Sequence, residues 1–490
     1  MTTASAFGTA ADAAAALEHR ALQHLIDGQL AGSAQSFEVV NPATGRAFIA
    51  CPQADQSQLE RAVAAAQRAQ PAWAQSSPEE RRARVRALAA KLREHHAELA
   101  ACITLEQGKP LSRAIMEVMR AAEQAERIAM LDIGVEVLRD DTQGRVEMHY
   151  RPLGVVGAIA PWNMPVVLAV PKIVHALYCG NAIVLKPSPY TPVATLRLGQ
   201  LLCDVFPPGV LNILAGGDDF GRWMSEHPGI AKISFTGSIP TGRRVMASAA
   251  ASLKRLTLEL GGNDAAIVLA DADPAEVAPK LFASAFANAG QVCMAVKRLY
   301  VHESLHDELA DRLAQLARNV RVGDGFEPGV EMGPVQNKAQ YQVVERILGD
   351  SRRRGANFLA GGNILDRPGY FIEPTIVTDV AEGAAVVDEE PFGPVLPILR
   401  FADVEDAVQR ANAGKFGLGA SVWSKDVGQA AAIASRLEAG TAWVNQHSVV
   451  DAHVPFGGAK QSGLGRQFGL DGLHDYMEAM AVFIPKTEGV

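Results

Sequence analysis

The segment NAGQVCMAVKR, residues 288–298, sets one cysteine among small and amide side chains, shortly before two cations. It overlaps the end of a helix-like run, ASAFANAG, so Cys293 is expected in a turn between two elements. Backbone N–H groups are free in such turns. Two or three of them around a sulfur favour the thiolate and later stabilise an oxyanion. The competing reading is a small buried hydrophobe, a common fate of cysteine. The local sequence leaves both open. Cys179 and Cys203 lie in apolar helical runs and read as core.

Other segments offer partners for such a sulfur. LTLELGGND, 256–264, carries Glu259 at the end of an otherwise apolar strand. A carboxylate there is costly unless paired or functional. It reads as a general base whose pKa is raised by partial burial, as the ion-pair partner of Lys254 or Arg255, or as a solvated strand tip. PWNMP, 161–165, follows the strand VVGAIA. Its two prolines fix the turn and aim Asn163, whose amide suits a developing negative oxygen or the N-cap of the next helix. Lys186 in VLKPSPYTP, 184–192, closes another strand. An ammonium there suits ribose hydroxyls or phosphate; the alternative is a surface lysine with a buried stem. FTGSIPTGRR, 235–244, reads as strand, Gly-Ser turn and helix start, with free N–H groups for a pyrophosphate. Its glycines, 237 and 242, do not fit G-x-G-x-x-G. GDGFEPG (323–329) and GLGRQFG (463–469) lack the strand and helix that fingerprint needs and read as loop turns. EEPFGPV, 389–395, offers Glu389 and Glu390 for a ribose diol and Phe392 to flank a flat ring.

The elements that must position these residues follow from rhythm. Residues 150–270 alternate short apolar runs (VVGAIA, AIVLKP, VLNILAG, KISFTG, RLTLELGG) with helical stretches such as TPVATLRLGQLLCDVF and IPTGRRVMASAA. Fully apolar strands between helices mean a parallel sheet covered on both faces, with ligands beyond the carboxyl ends of its strands. A second alternating block, about 264–445, includes AAIVLA, RLYVH, PVLPILRF, GASVWS and TAWVN as strands. The first 135 residues are mostly helical after a short β opening, FEVVNPATGRAF. A Ser-Pro-acidic start marks the helix in SSPEERRARVRALAAKLREHHAELAACI. Two β segments, DDTQGRVEMHYRP (140–152) and MEAMAVFIP (477–485), have no sheet of their own and pair with each other or with another subunit.

A chain of 490 residues exceeds one ordinary core, so two or more domains are expected. Its 46 basic and 54 acidic residues give −8, spread along the chain, which argues against nucleic acid as a partner. No apolar run reaches the roughly 18 residues of a membrane span. The N-terminus, MTTASAFGTAADAAAALEHR, lacks a basic start and apolar block and reads as a frayed lead-in with a short helix, not a secretory signal. Five cysteines without CxxC spacing suggest a reducing, cytoplasmic setting with no disulfide framework and no metal site.

In this order, PWNMP, VLKPSPYTP, FTGS, LELGG, GQVC, EEPFGP and PFGGAKQSGLG (455–465) resemble the NAD(P)-dependent aldehyde dehydrogenase superfamily, with NPATG and LEQGKP (105–110) also fitting. The likeness covers nearly the whole chain, and GQVC places its cysteine 34 residues after Glu259 (293 − 259). It implies an α/β chain with a Rossmann-like cofactor domain (1–135 and 153–261), an α/β catalytic domain (262–465) and a β oligomerisation arm (136–152 and 475–490). It implies Cys293 as nucleophile, Glu259 as general base and Asn163 as oxyanion donor. Lys186, Ser188, Trp162, Gly237, Ser238, Gly242, Glu390 and Phe392 would hold the nicotinamide dinucleotide. Met164, Val167, Leu168 and Val449–Phe456 would line a substrate tunnel, with Asp451 and His453 toward solvent or a polar substrate. His447 and His175 read as structural histidines, and Lys172 matches no role. The expected activity is oxidation of a small-molecule aldehyde to its acid through a Cys293 thioester, in a homodimer or homotetramer. The alternatives are acyl transfer to coenzyme A and a silent dinucleotide-binding protein; Glu259 argues against the first, and the retained catalytic side chains against the second. Pro189 stands where many members carry a glutamate that bonds the adenosine ribose, so NAD is expected with NADP possible. Asn263 stands where lysine is frequent, and nothing physical accounts for it.

Overall fold

The structure is a computed structural model that describes residues 9–18 and 21–486. The lead-in helix spans Ala10–Glu18; residues 1–8 and 19–20 of that segment, and residues 487–490 of the expected arm, lie outside the described residues.

Five strands form the parallel centre of the first sheet, in the order Arg255–Glu259, Lys232–Thr236, Val155–Ile159, Ala182–Lys186 and Leu211–Ile213. Antiparallel pieces flank this centre on both sides, Gly463–Leu464 against Glu259 and His24–Ile26 against Ile213, with Gln29–Ala31 outermost beyond His24–Ile26. Successive side chains of a strand point to opposite faces. Here both faces are covered. Val156, Ala158, Ile183 and Leu185 enter one apolar cluster, and Val155, Ile159, Ala182 and Val184 enter another. This is why these strands read as unbroken apolar runs.

The second sheet repeats the design with seven strands. Its order is Asn357–Ala360, Thr375–Thr378, Val395–Phe401, Val296–His302, Asp264–Val268, Gly419–Trp423 and Thr441–Val444. All neighbours are parallel except the first pair. Ala265 and Ile267 face one cluster, Ala266 and Val268 the other. The chain passes from one sheet to the other through Leu260–Asn263, between the strand that ends at Glu259 and the strand that begins at Asp264. Ser462 holds that crossing: its carbonyl accepts from the Leu260 N–H (2.9 Å) and its hydroxyl donates to the Gly261 carbonyl (2.6 Å).

The two β segments without a sheet pair with each other. Met477–Ile484 runs antiparallel to Gly144–Pro152, which also pairs with Glu136–Asp141.

Some elements differ from the sequence reading. The run 76–103 is two helices, Pro78–Glu94 and His96–Gln107, because the backbone leaves the helical region at His95 (φ −106°, ψ 19°). The expected start stands, with Ser77 Oγ accepting from the Glu80 N–H (3.1 Å). The stretch TPVATLRLGQLLCDVF is helical only over Val193–Leu201, so Cys203 falls in the following turn and is half-buried rather than core. The helix Lys338–Arg353 and the strands Asn357–Ala360 and Thr375–Thr378 were not read from the sequence. No helix among the described residues is long and apolar enough to cross a membrane.

Candidate active site

A cavity of about 770 Å³ opens beyond the carboxyl ends of the first sheet's strands, the expected place for a ligand. Trp162 and Asn163 border it after one strand, Lys186 and Ser188 after the next, and Gly237 and Ser238 after a third. Leu260 and Gly261 border it at the crossing, and Cys293, Glu390 and Phe392 come from the other sheet's side. Segments hundreds of residues apart thus share one wall.

Cys293 owes its place to an unusual approach. The helix Pro274–Phe286 ends, and Asn288 (φ 52°), Ala289 (φ 55°) and Gly290 (φ 72°) then turn left-handed in succession. At Gly290 a Cβ would lie 2.1 Å from the Gly393 carbonyl oxygen, so only glycine fits. The sulfur borders the cavity and also packs against the apolar cluster that holds Val167 and Phe456. Burial pushes its thiol up to about 12, with Lys297 pulling down and Glu259, Glu390 and Asp264 pushing up. The expectation that backbone N–H groups favour the thiolate is therefore corrected: among the described residues no N–H donates to this sulfur, and the apolar surroundings dominate.

Asn163 is buried and tied to the cysteine loop in both directions. Its Nδ2 donates to the Gln291 carbonyl (2.9 Å), and its own carbonyl accepts from Asn288 Nδ2 (2.9 Å) and Lys109 Nζ (3.1 Å). One amide N–H remains to serve the cavity. The capping alternative does not hold. The helix Pro165–Tyr178 has no side-chain cap from Asn163, and the Val166 and Val167 N–H groups donate to Glu117 Oε1 (3.0 and 3.2 Å). The other Glu117 oxygen accepts from Lys109.

Glu259 is buried, and its Oε1 has no hydrogen-bond partner. Burial pushes the carboxyl up, opposed by Lys172 and then Arg466. Neither expected ion pair forms: Lys254 donates to the His227 and Ile230 carbonyls, and Arg255 meets Glu478. Nor does Glu259 border the cavity. It stands behind the wall. Lys172 shares that interior, with its ammonium pulled down by burial and its Nζ donating to Ser234 Oγ (3.2 Å).

Lys186 is buried, not snorkelling; burial brings it down to about 8, with Asp218 opposing. Ser238 caps the Ile239–Ala250 helix. That start is less open than expected. Pro240 has no N–H, Thr241 donates to Ser238 Oγ and Gly242 to the Ser238 carbonyl, which leaves the Ile239 N–H and the helix dipole for an anion. Gly242 does not border the cavity; a Cβ there would lie 2.5 Å from Leu260, so its absence lets the helix close on the crossing. Phe392 sits edge-on to Trp162 (centroids 5.2 Å apart), while Glu389 turns away to Arg346.

Of the residues expected at a tunnel, Met164, Val167 and Phe456 do not border this cavity: Val167 and Phe456 belong to an apolar cluster, and Met164, Cys293 and Met294 pack against it. Leu168 does border the cavity. Asp451 pairs with Arg127 (2.7 Å), and His453 lies 3.1 Å from the Arg127 carbonyl. His447 bridges Ser421 Oγ (2.9 Å) and the Met294 carbonyl (3.0 Å). His175, also buried, accepts from the Phe468 N–H (3.2 Å). Sequence reasoning missed Lys109, Glu117 and Lys297, and left Lys172 without a role. The available signal was an ionisable group inside an apolar run, as in VPKIVHALY.

The aldehyde dehydrogenase family model matches residues 30–482. A phenylacetaldehyde dehydrogenase of Pseudomonas fluorescens is 40% identical over 480 residues, 94% of this chain and 95% of its own. A betaine aldehyde dehydrogenase of Staphylococcus aureus, solved in complex with NAD+, superposes with a TM-score of 0.93 at 33% identity, covering 98% of each chain. The NAD+ complex of an aldehyde dehydrogenase from Bacillus cereus gives 0.93 at 35% identity, covering 96% of this chain and 98% of its own.

Replacing Gly290 by alanine forces both a left-handed alanine and a backbone collision. The expected cost is about 2 kcal/mol or more. It is read as a lowered urea midpoint, and an unchanged midpoint would mean that the approach to Cys293 tolerates a side chain.

Proposed function

The chain belongs to the aldehyde dehydrogenase family, and on that premise we propose that it oxidises aldehydes to carboxylic acids by covalent catalysis at Cys293. What supports this most is the meeting of Cys293 and Asn163 at one cavity whose wall also carries Lys186, Ser238, Glu390 and Phe392.

The residues fit a nicotinamide dinucleotide. Lys186 and the Ser238 helix start favour its phosphates and ribose, Glu390 a ribose diol, and Trp162 and Phe392 a flat ring, with Ser188 and Gly237 beside them. When bound, the dinucleotide supplies the hydride acceptor. NAD is the proposed cofactor; Pro189, uncharged at the cavity edge, does not repel the 2′-phosphate of NADP.

The Cys293 thiol releases its proton to solvent water, its sulfur bonds to the aldehyde carbon, and the carbonyl electron pair moves onto oxygen. The free N–H of the Asn163 amide and the Cys293 backbone N–H stabilise that oxyanion; losing one such donor costs ~100- to 1000-fold in rate. After hydride loss a thioester remains on Cys293. Glu259 takes the proton of an attacking water, and the carbon–sulfur bond breaks to release the acid. Splitting one oxidation into acylation and hydrolysis lowers both barriers. Because Glu259 stands behind the cavity wall, its side chain must swing toward the thioester to act. The arm joins copies of the chain: Val137, Leu138, Phe483 and Ile484 are exposed apolar residues on its small open sheet.

An aldehyde panel assayed with NAD and NADP in parallel should give reduced dinucleotide and free acid. Cys293→Ala should abolish oxidation while leaving dinucleotide affinity nearly intact. Acyl-CoA without free acid, or dinucleotide binding with no burst for any aldehyde, would replace this reading by one of its rivals.

A second expectation concerns pH. Burial raises the Glu259 carboxyl, so the proton is held well above the usual carboxylate range and the ionised base appears only as pH rises. Steady-state turnover should therefore climb with pH through neutrality, and Glu259→Gln should leave the first burst but remove the climb. A Glu259→Gln enzyme with the parent profile would displace Glu259 as the base.

Light scattering should give a dimer or tetramer; a monomer would remove the arm's proposed role.

A further inference from the structure

Lys297, four residues after Cys293, is buried. Its ammonium lies 2.8 Å from the Val292 carbonyl oxygen, 2.7 Å from that of Cys293, 2.9 Å from that of Gly262 and 3.1 Å from Glu390 Oε1. It also stands over the Phe392 ring, 5.6 Å from the centroid. These groups come from three separate segments: the cysteine loop, the crossing after Glu259, and the turn that carries Glu390. The segments are drawn very close. A Cβ on Gly262 would lie 2.6 Å from the Cys293 carbonyl oxygen, and the Gly262 N–H donates to the same Glu390 oxygen (3.2 Å).

We infer that Lys297 is a positioning residue, which gathers the nucleophile loop, the crossing and the cofactor-binding acid around one cation. This deepens the reading of Cys293, Glu259 and Glu390 given above and rests on it.

Three carbonyl oxygens and a carboxylate converging on one buried point repel each other unless a positive charge sits among them. Lysine meets the need with a compact, rotatable head, whereas the planar fork of arginine sends its donors apart. A neutral methionine would remove the cation from all four acceptors; the Gly262 N–H would still reach Glu390 and the Ala295 N–H the Val292 carbonyl, but the Gly262 and Cys293 carbonyls would lose their donor. The charged groups that act on the Cys293 sulfur are Lys297, which favours the thiolate, and Glu259, Glu390 and Asp264, which oppose it. Lys297 is thus the cation that offsets part of the burial penalty on the thiolate.

The test uses Lys297→Met and Lys297→Arg in the full chain, on a Cys203→Ser background that removes the other half-buried thiol; the remaining three cysteines are buried. Iodoacetamide reports the Cys293 thiolate at mildly alkaline pH, with Cys293→Ser as the blank. Lys297→Met should react about tenfold more slowly than the parent, the effect of one unit in thiol pKa. Its turnover should fall roughly 100-fold from misplacement of the reacting groups. Lys297→Arg keeps the charge, so its alkylation should stay within about threefold of the parent while its turnover remains depressed. A side chain that only filled space would act oppositely, since a loosened loop exposes the sulfur. Unchanged or faster alkylation in Lys297→Met overturns the inference. Should that variant not fold, Lys297→Arg decides, and parental turnover and dinucleotide KM would overturn it. Alkylation does not depend on turnover, so a parent inert toward every aldehyde would end the proposed activity without deciding Lys297.

Discussion

Reciprocal hydrogen bonds between Asn163 and the cysteine loop join the functional ends of two separate sheets. Asn163 follows a strand of the first sheet, while Asn288 and Gln291 precede a strand of the second. Buried amides and carbonyls are expensive to leave unpaired, so this pairing sets where the sulfur stands relative to the amide. Lys109 reinforces it from a third direction by donating to the same Asn163 carbonyl. The wall of the cavity can then be rigid although no single element builds it.

That rigidity comes with a concentration of buried charge. Lys109, Lys172, Lys186, Lys297 and Glu259 are all among the buried residues. Low polarity around them disfavours ions, which is why the Cys293 thiol and Glu259 are raised and Lys186 is lowered. Their compensations differ: a carboxylate and the Asn163 carbonyl for Lys109, the Pro187 carbonyl for Lys186, three carbonyls and a carboxylate for Lys297, and mutual attraction for Lys172 and Glu259. Such a setting strengthens any interaction with charge that develops during reaction, and it leaves the resting sulfur protonated.

Much of the scaffold was legible because its signals are local. The strands around residues 155–268 read as apolar runs because both their faces are covered, and the Ser77 cap follows from side-chain chemistry within one turn. The left-handed run at Asn288–Gly290 was less legible, since only its glycine hints at it. Gly242 shows the limit of motif reasoning. It lies in the first turn of the Ile239–Ala250 helix, yet its smallness serves contact with Leu260 rather than a ligand. Met164, Val167 and Phe456 are apolar in any reading, and pattern cannot say whether an apolar residue lines a tunnel or fills a core.

By itself the sequence determined much of the succession of strands and helices and the family likeness carried by motifs from PWNMP to PFGGAKQSGLG, a likeness that singles out Cys293, Asn163 and Glu259. Each of those signals lies within a short stretch of chain, where periodicity and turn chemistry act. Tertiary structure alone decided which buried groups meet. Glu259 faces Lys172 rather than its sequence neighbours Lys254 and Arg255, and Lys297 reaches Gly262 and Glu390 as well as its own loop. These partners are set by how two sheets approach one another. Electrostatic attraction depends on distance through space, which one-dimensional spacing does not contain.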